Sequence, residues 1–404
     1  PLSLTVAIAA SLAACGGKGE ATAPAADTPA KPAFDLSQIK TPSVSFNVAD
    51  LDPAVAACSD LNGFVNGKWL RANPVPGDQV TWGSFEILRE RSLEVQHALV
   101  QQAAAANAKA GSVQAQIGDI WKTGSDEAAI EAAGIAPLQP ELDKIAALGD
   151  GAAIAGYLRD AYARGQGFLF SLYASPDFKD SANVIAYVGQ GGLGLPEKGY
   201  YFDDAQAKIR DAYVAYIAQV LTLSGVDAAQ AAEQAKAVMA FETRLAKASM
   251  SRIEMRDPAK RYNPLSAADA DRLTPNFSWT ALFDTLKVPA AQKFSLAQPG
   301  FFSEMDKMLA DVPASTWQAY LRFHTIDDAS PYLSSQFEKA NFDFYGTTLR
   351  GQKEMQPRWK RVLESVNGGM GEALGQLYVD AVFPAESKVA MQHLVENLSQ
   401  ALKA

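Results

Sequence analysis

The chain has 404 residues, of which 48% are hydrophobic and 20% charged, and these proportions are ordinary for a globular protein with a sizeable core. Its 36 Lys and Arg against 45 Asp and Glu give a net charge of −9, which argues against binding of nucleic-acid phosphates. The two cysteines exclude a disulfide framework and any cysteine-rich zinc module.

Residues 1–15 are typical of an export signal. An apolar run from Leu2 to Leu12, too short to cross a bilayer (about 20 residues are needed), is followed by Ala13-Ala14-Cys15. A cysteine at this place resembles the bacterial lipobox, in which Cys15 would be acylated and become the mature N-terminus. We therefore expect a lipid-anchored protein on the periplasmic or surface side of a bacterial cell envelope. The alternative is a buried first helix with an incidental cysteine.

The segment 16–43 is rich in Gly, Ala, Pro, Thr and Lys and has few large apolar residues. Such a composition cannot bury enough apolar surface to fold, so it predicts a disordered linker between the signal and the folded part, residues 44–404.

Helical periodicity dominates the folded part. It predicts helices over 84–110, 113–122, 126–133, 139–147, 151–164, 204–224, 227–248, 267–273, 279–286, 301–309, 314–326, 331–345, 356–366, 370–382 and 385–403. Between residues 164 and 204 the pattern changes to short aromatic and β-branched runs at 168–173 and 184–188, which predict one β-hairpin with a long loop. The predicted fold class is mostly α, with one small β-hairpin.

The histidines are His97, His324 and His393, none of which begins an H-E-x-x-H motif. No two of them are close enough to be neighbours on a helix. We interpret each as a structural residue and predict neither a metal site nor catalytic residues in this chain.

Several segments in order resemble the neprilysin family of zinc metallopeptidases, including its endothelin-converting-enzyme-like members. They are Val65-Asn66-Gly67-Lys68-Trp69-Leu70, then Trp82-Gly83-Ser84-Phe85, then Gly194-Leu195-Pro196 with Tyr200-Tyr201, and finally Pro357-Arg358-Trp359-Lys360-Arg361 through Glu386-Ser387-Lys388. The resemblance implies that residues 44–404 are a large helical domain capping a separate catalytic domain, with a chamber for small peptides between them. It also implies that the zinc ligands lie downstream of Glu386-Ser387-Lys388, so this chain alone is expected to be inactive while its parent enzyme uses zinc.

The resemblance also implies roles for individual residues. Arg89 stands in the register of a family arginine that faces the C-terminal side of the substrate, so it is the predicted substrate-binding residue. The alternative is an ion pair with Glu86, three residues away. Some members have a second arginine where this chain has Thr81. Cys58 is expected to be unpaired and buried, and Arg358 and Arg361 are expected to pair with carboxylates or helix ends.

The predicted partners are a downstream catalytic domain of the same protein, small peptides, and a membrane reached through the lipid. The alternative function is that of a non-enzymatic helical lipoprotein that binds a peptide or protein. Two surfaces are expected to be under-packed in this chain alone: the hairpin at 168–188 and the last helix, whose apolar residues are Met391, Leu394, Leu398 and Leu402.

Overall fold

The computed structural model describes residues 35–45, 47–288 and 293–403. The predicted lipidation site Cys15, the signal and most of the predicted linker lie outside these ranges. Within them, no helix has both the length and the apolar character needed to cross a bilayer.

Helices make up most of the described chain, as predicted. They are α1 (Leu61–Ala72), α2 (Ser84–Ala105), α3 (Val113–Ser125), α4 (Glu127–Ala133), α5 (Gln139–Ala146), α6 (Gly151–Ala163), α7 (Ala207–Leu223), α8 (Ala228–Ala248), α9 (Pro258–Arg261), α10 (Ala267–Leu273), α11 (Trp279–Thr285), α12 (Pro299–Asp311), α13 (Ala314–Ala329), α14 (Ser335–Asn341), α15 (Arg358–Val382) and α16 (Ala385–Lys403). A π-helix, Phe342–Thr348, continues directly from α14.

Local capping explains why many of these helices begin where the sequence predicts. Side-chain oxygens of Ser112, Asp126, Asp150 and Asp227 accept hydrogen bonds from backbone N–H groups in the first turns of α3, α4, α6 and α8. The two helices predicted over 356–366 and 370–382 form one helix, α15, with non-helical backbone angles at Met370. The glycines around Met370 lower the stability of the helix there. They interrupt the helical sequence pattern, although the helix itself continues.

Residues Lys40 and Thr41, within the predicted linker 16–43, are bonded to α2. The backbone N–H groups of Lys40 and Thr41 donate to the Glu94 carboxylate of α2, at 2.6 and 3.0 Å. Arg91, also on α2, donates to the carbonyl oxygen of Thr41 at 2.5 Å. These bonds attach the last residues of the predicted linker to the helical body.

The predicted β-hairpin is confirmed, but its predicted long loop is wrong. Strands β1 (Phe170–Asp177) and β2 (Asp180–Gln190) run almost to the tip, leaving only Phe178 and Lys179 between them. The hairpin is also not isolated, because β2 pairs in parallel with β4 (Phe294–Leu296), which pairs antiparallel with β3 (Pro264–Leu265). The sheet order is β1-β2-β4-β3, so the base of the hairpin is paired, while Tyr173, Phe178 and Val184 near its tip are 46–66% exposed.

The tight turn depends on Asp177. Its carboxylate accepts hydrogen bonds from the Lys179 backbone N–H (3.0 Å) and the Tyr262 hydroxyl (2.6 Å), and it pairs with the Lys293 ammonium at 2.5 Å. The hydrogen bond to Lys293 is the main reason that the pKa of Asp177 falls to about 2. Tyr262 and Lys293 lie more than 80 positions from Asp177, so sequence periodicity could not reveal these two partners.

The buried apolar residues form two separate cores. The main core joins α5 to α8, α10 to α14 and the sheet, and includes Trp279, Trp317 and Tyr320. The second core lies between α2, α3 and α15 and includes Val100, Ile117 and Leu363. His97 belongs to this second region, where its ring stacks on Trp359 with 4.4 Å between centroids.

A buried carboxylate organises the centre of the main core. Glu242 of α8, fully buried, accepts hydrogen bonds from the Tyr201 hydroxyl (2.5 Å), the Tyr213 hydroxyl (2.9 Å) and the Gly194 backbone N–H (3.1 Å). The His324 Nε2 of α13 lies 2.9 Å from the same carboxylate. Burial alone would lower the pKa of His324, but the hydrogen bond and charge of Glu242 outweigh burial and raise it above 6.5.

The raised pKa predicts how stability varies with pH. The Glu242–His324 pair contributes its full stability below the pKa of an unfolded histidine, near 6.5, and loses it as pH rises through the folded pKa. We expect His324→Gln to lower the free energy of unfolding by about 3–5 kcal/mol at pH 5.5, the cost of breaking a buried pair, and by less at pH 9. Urea denaturation at both pH values measures this, with His393→Gln on the exposed helix α16 as the control. An equal loss at the two pH values would contradict the prediction.

Candidate functional site

A cavity of about 880 Å³ lies between the two hydrophobic cores. The second core supplies residues of α2, α3 and α15 to its wall, and the main core supplies α14 and the π-helix. Its lining residues include Arg89, Asp119, Glu338, Asn341, Phe342, Arg350, Arg358, Arg361 and Glu364. The wall therefore combines apolar surface with several charged side chains.

The predicted substrate-binding residue, Arg89, lies on the wall of this cavity. Its side chain is exposed and makes no hydrogen bond or ion pair with any residue of the described ranges. The alternative pairing with Glu86 is absent, because the Glu86 carboxylate instead accepts a hydrogen bond from the Thr81 hydroxyl at 2.9 Å. The guanidinium of Arg89 thus keeps its hydrogen-bond donors available.

Arg358 and Arg361 face the same cavity, but both have hydrogen-bond and ion-pair partners. Arg358 donates through Nε and Nη2 to the carbonyl oxygen of Gly124, near the C-terminal end of α3, at 3.0 and 2.8 Å. It also pairs with Glu338 at 3.3 Å, and Arg361 contacts the same carboxylate. The prediction that these two arginines pair with carboxylates or helix ends is confirmed.

The first turn of α15 also reaches the segment that precedes α2. The Lys360 ammonium, little exposed, pairs with Glu90 at 2.7 Å and with Asp78 at 3.3 Å. A cation bonded to two carboxylates in a half-buried position fixes that segment more firmly than a surface pair would.

The π-helix brings an aromatic ring to the cavity wall. Phe342 lies at its start, and Gly346 follows one turn later. A Cβ atom at Gly346 would lie 2.5 Å from the Phe342 ring, so only glycine lets the ring occupy this place without a shift. Single π-helical turns within helices are frequent at functional sites.

The described residues offer no cluster that fits a metal ion. No group of three His, Cys, Asp or Glu side chains within these ranges could coordinate one. His97 stacks on Trp359, His324 bonds to buried Glu242, and His393 lies on exposed α16. Cys58 is exposed and not buried as expected, because it lies in a solvated turn before α1.

Sequence reasoning missed three residues of this region. Phe342 and Arg350 line the cavity, and Phe85, one turn before Arg89 on α2, is 86% exposed. Phe85 carries a detectable signal, because it stands at i and Arg89 at i+4, which places both on one helix face. Phe342 and Arg350 carry none, since their position on the cavity wall depends on tertiary contacts.

Comparison with known proteins assigns this architecture to a family. Residues 57–404 match the model of the N-terminal part of peptidase family M13. The chain belongs to peptidase family M13. This confirms the neprilysin-like and endothelin-converting-enzyme-like resemblance, and the mostly helical fold is that of the M13 N-terminal domain.

The M13 relatives are about twice as long as the part that this chain matches. Endothelin-converting enzyme 1 of Mus musculus is 26% identical over 369 residues, covering 87% of this chain and 47% of the relative. Endothelin-converting enzyme-like 1 of Rattus norvegicus is 27% identical over 375 residues, covering 88% and 48%. The crystal structure of the Mycobacterium tuberculosis zinc metalloprotease Zmp1 with an inhibitor superposes with a TM-score of 0.83 at 31% identity, covering 88% of this chain and 54% of Zmp1. The chain therefore spans about half the length of the relatives it matches.

Proposed function

We propose that this chain forms one wall of the substrate chamber of a zinc metalloendopeptidase that hydrolyses small peptides in the cell envelope. The observation that carries the proposal is Arg89, an unpaired guanidinium on the wall of an 880 Å³ cavity in a chain of family M13. A cavity of this size can enclose a short peptide, and a guanidinium grips a carboxylate through two parallel hydrogen bonds.

The zinc site belongs, in this proposal, to a second half of a longer protein. The donors in the described ranges do not fit a metal ion. A structural neighbour described as a zinc metalloprotease is matched over only 54% of its length, which leaves room there for a catalytic half. This chain would then supply substrate contacts and exclusion of water, while the other half supplies the metal chemistry.

The N-terminal turns of α2 present apolar surface next to Arg89. Phe85 is 86% exposed and Leu88 is 50% exposed. Exposed apolar side chains grouped beside a charged group are typical of a binding surface. We propose that they contact the side chains of a bound peptide whose carboxylate pairs with Arg89.

The proposal predicts that cleavage requires the longer protein and that this chain contributes only to substrate binding. This chain alone should cleave no peptide and bind no stoichiometric zinc, whereas the longer protein should cleave a short peptide in a chelator-sensitive reaction. In the longer protein, Arg89→Gln should reduce kcat/KM about tenfold or more, the loss expected for one charge-assisted contact. Arg256→Gln, an exposed arginine outside the cavity, is the matched control.

Two outcomes would contradict this function. Chelator-sensitive cleavage by this chain alone would place the zinc site within it. A longer protein that binds peptides but never cleaves them would favour the alternative function, a non-enzymatic helical lipoprotein with a peptide or protein partner.

We propose α16 as a contact surface for the catalytic half. No residue of Ala385–Lys403 is buried, and Leu394, Val395 and Leu398 are each 50–56% exposed. Most of the stability of a helix in a protein comes from packing of its apolar face, and α16 buries none of its residues. We expect fast amide hydrogen exchange across α16 in this chain alone and slow exchange in the longer protein, with buried α13 protected in both. Equal protection of α16 in the two samples would contradict the proposal.

We also propose that the protein is anchored by lipid on Cys15. Mass spectrometry of the membrane fraction of the native host should then find acylated Cys15 as the N-terminus. A protein in the soluble fraction that retains residues 2–14 and carries no acyl group would contradict the anchor.

A further inference from the structure

Strand β1 forms one edge of the four-stranded sheet. It pairs with β2 on one side, and no strand of the described ranges lies on its other side. An edge strand presents backbone N–H and C=O groups that can pair with a strand of another chain, and charged side chains commonly prevent such pairing. From Phe170 to Pro176, β1 has no charged side chain. Its edge is therefore open to a further strand.

Two residues of β1 direct their backbone groups away from β2. In an antiparallel pair, residues alternate between bonding to the partner strand and pointing away from it. The Val188 carbonyl accepts from the Ala297 N–H at 2.8 Å, so it faces β4 and does not bond to Leu172, which lies opposite. The same alternation directs the N–H and C=O groups of Leu172 and Ala174 to the open edge. Neither residue has a hydrogen bond on that side within the described part of the chain.

The neighbouring positions of this edge already have partners. The Tyr162 hydroxyl accepts from the Phe170 N–H at 2.7 Å and donates to the Phe170 carbonyl at 2.8 Å. Pro176 has no N–H, and its carbonyl accepts from the Tyr187 hydroxyl at 3.2 Å. A bulge directly after Pro176 also bends the strand. The free groups are thereby confined to the two residues that flank Tyr173.

A second copy of β1 fits this edge by symmetry. If a two-fold axis passes through Tyr173, Leu172 of one copy lies opposite Ala174 of the other. Each of these two pairs exchanges two hydrogen bonds, and the four bonds use every free group of both copies. A two-fold axis also brings residues close to their own counterparts, so a charged residue there would repel itself. The uncharged sequence of β1 meets this condition.

The aromatic side chains of the hairpin favour the same register. The rings of Tyr262, Phe178, Tyr187 and Tyr173 form a row, with successive centroids 6.0, 4.9 and 5.6 Å apart. Tyr173 ends this row and is 46% exposed. A two-fold axis through Tyr173 places it in a non-hydrogen-bonded pair with its own counterpart, the position in which cross-strand side chains are closest. The two rows then meet, and this favours a second copy over an unrelated extended peptide.

We propose that the protein forms a homodimer in which two β1 strands pair antiparallel about Tyr173 and join two four-stranded sheets into one. The pairing does not depend on the proposed peptidase function, because β1 contributes no residue to the cavity wall. Four backbone hydrogen bonds and one aromatic contact form a small interface, so the dimer is weak and reversible.

Sedimentation equilibrium of this chain and of the longer protein over a concentration series measures the pairing. The average mass should rise with concentration from that of the monomer, 43.1 kDa for this chain, toward twice that value. Ala174→Pro removes an outward N–H but no hydrogen bond to β2, and it should weaken dimerisation at least about tenfold because two hydrogen bonds are lost per dimer. Val184→Lys, at an exposed position of β2 in the same hairpin, should leave dimerisation unchanged.

A charge swap tests the symmetry of the pairing. Tyr173→Lys and Tyr173→Glu should each be monomeric, because like charges would meet at the axis, whereas an equimolar mixture of the two should dimerise. Circular dichroism should show the wild-type fold in both variants, since Tyr173 is half exposed. In the wild type, the amide hydrogens of Leu172 and Ala174 should exchange more slowly as the protein concentration rises.

Four results would overturn the proposal. They are a monomer at every concentration, dimers that persist in Ala174→Pro and in both Tyr173 variants, dimers that Leu398→Lys on exposed α16 abolishes while Tyr173→Lys does not, and dimers of this chain but not of the longer protein. The third result would place the contact on α16. The fourth would mean that the catalytic half covers the edge of β1.

Discussion

Arg358 connects the two hydrophobic cores across the cavity, and the shape of the site depends on this connection. Its guanidinium donates to the Gly124 carbonyl on the second-core side and pairs with Glu338 on the main-core side. An unpaired buried charge would be costly, so both contacts must persist while the protein is folded. Arg361 shares Glu338 and reinforces the same junction.

The arginines of the cavity wall fall into two classes. Arginines with partners, Arg358 and Arg361, are only partly exposed, whereas Arg89 and Arg350 are solvated and free. Water stabilises a free guanidinium until a ligand replaces it, and a carboxylate ligand restores two hydrogen bonds at once. One pair of arginines therefore maintains the shape of the cavity, while the other pair remains available to bind a ligand.

The main core supplies the rigidity on which the wall rests. Glu242 ties the loop at Gly194 to α8 and α13, and α13 continues to Asp327. The Asp327 carboxylate accepts hydrogen bonds from the Tyr345 hydroxyl at 2.7 Å and from the Asn341 side chain at 3.2 Å. Asn341 is itself part of the cavity wall. Satisfied buried polar groups of this kind specify one arrangement of the helices and hold the wall in place.

Local physics explains what the sequence alone determined: the helical fold class, most helix positions, the family, the pairing of Arg358 and Arg361 and the apolar stripe of α16. Helical periodicity, capping side chains and family motifs all act over a few residues, so they can be read without coordinates. Tertiary structure decided the rest. Strands β3 and β4 have only two and three residues, too few for a periodic signal, and they form because distant strands pair with them. Whether Arg89 pairs with Glu86 or faces a cavity depended on Thr81 bonding to the Glu86 carboxylate, and hydrogen bonds to Gly77 and Asp78 decided where the segment after the π-helix lies. These outcomes are set by contacts between residues far apart in the chain, which compete with the local pairings that a sequence pattern can show.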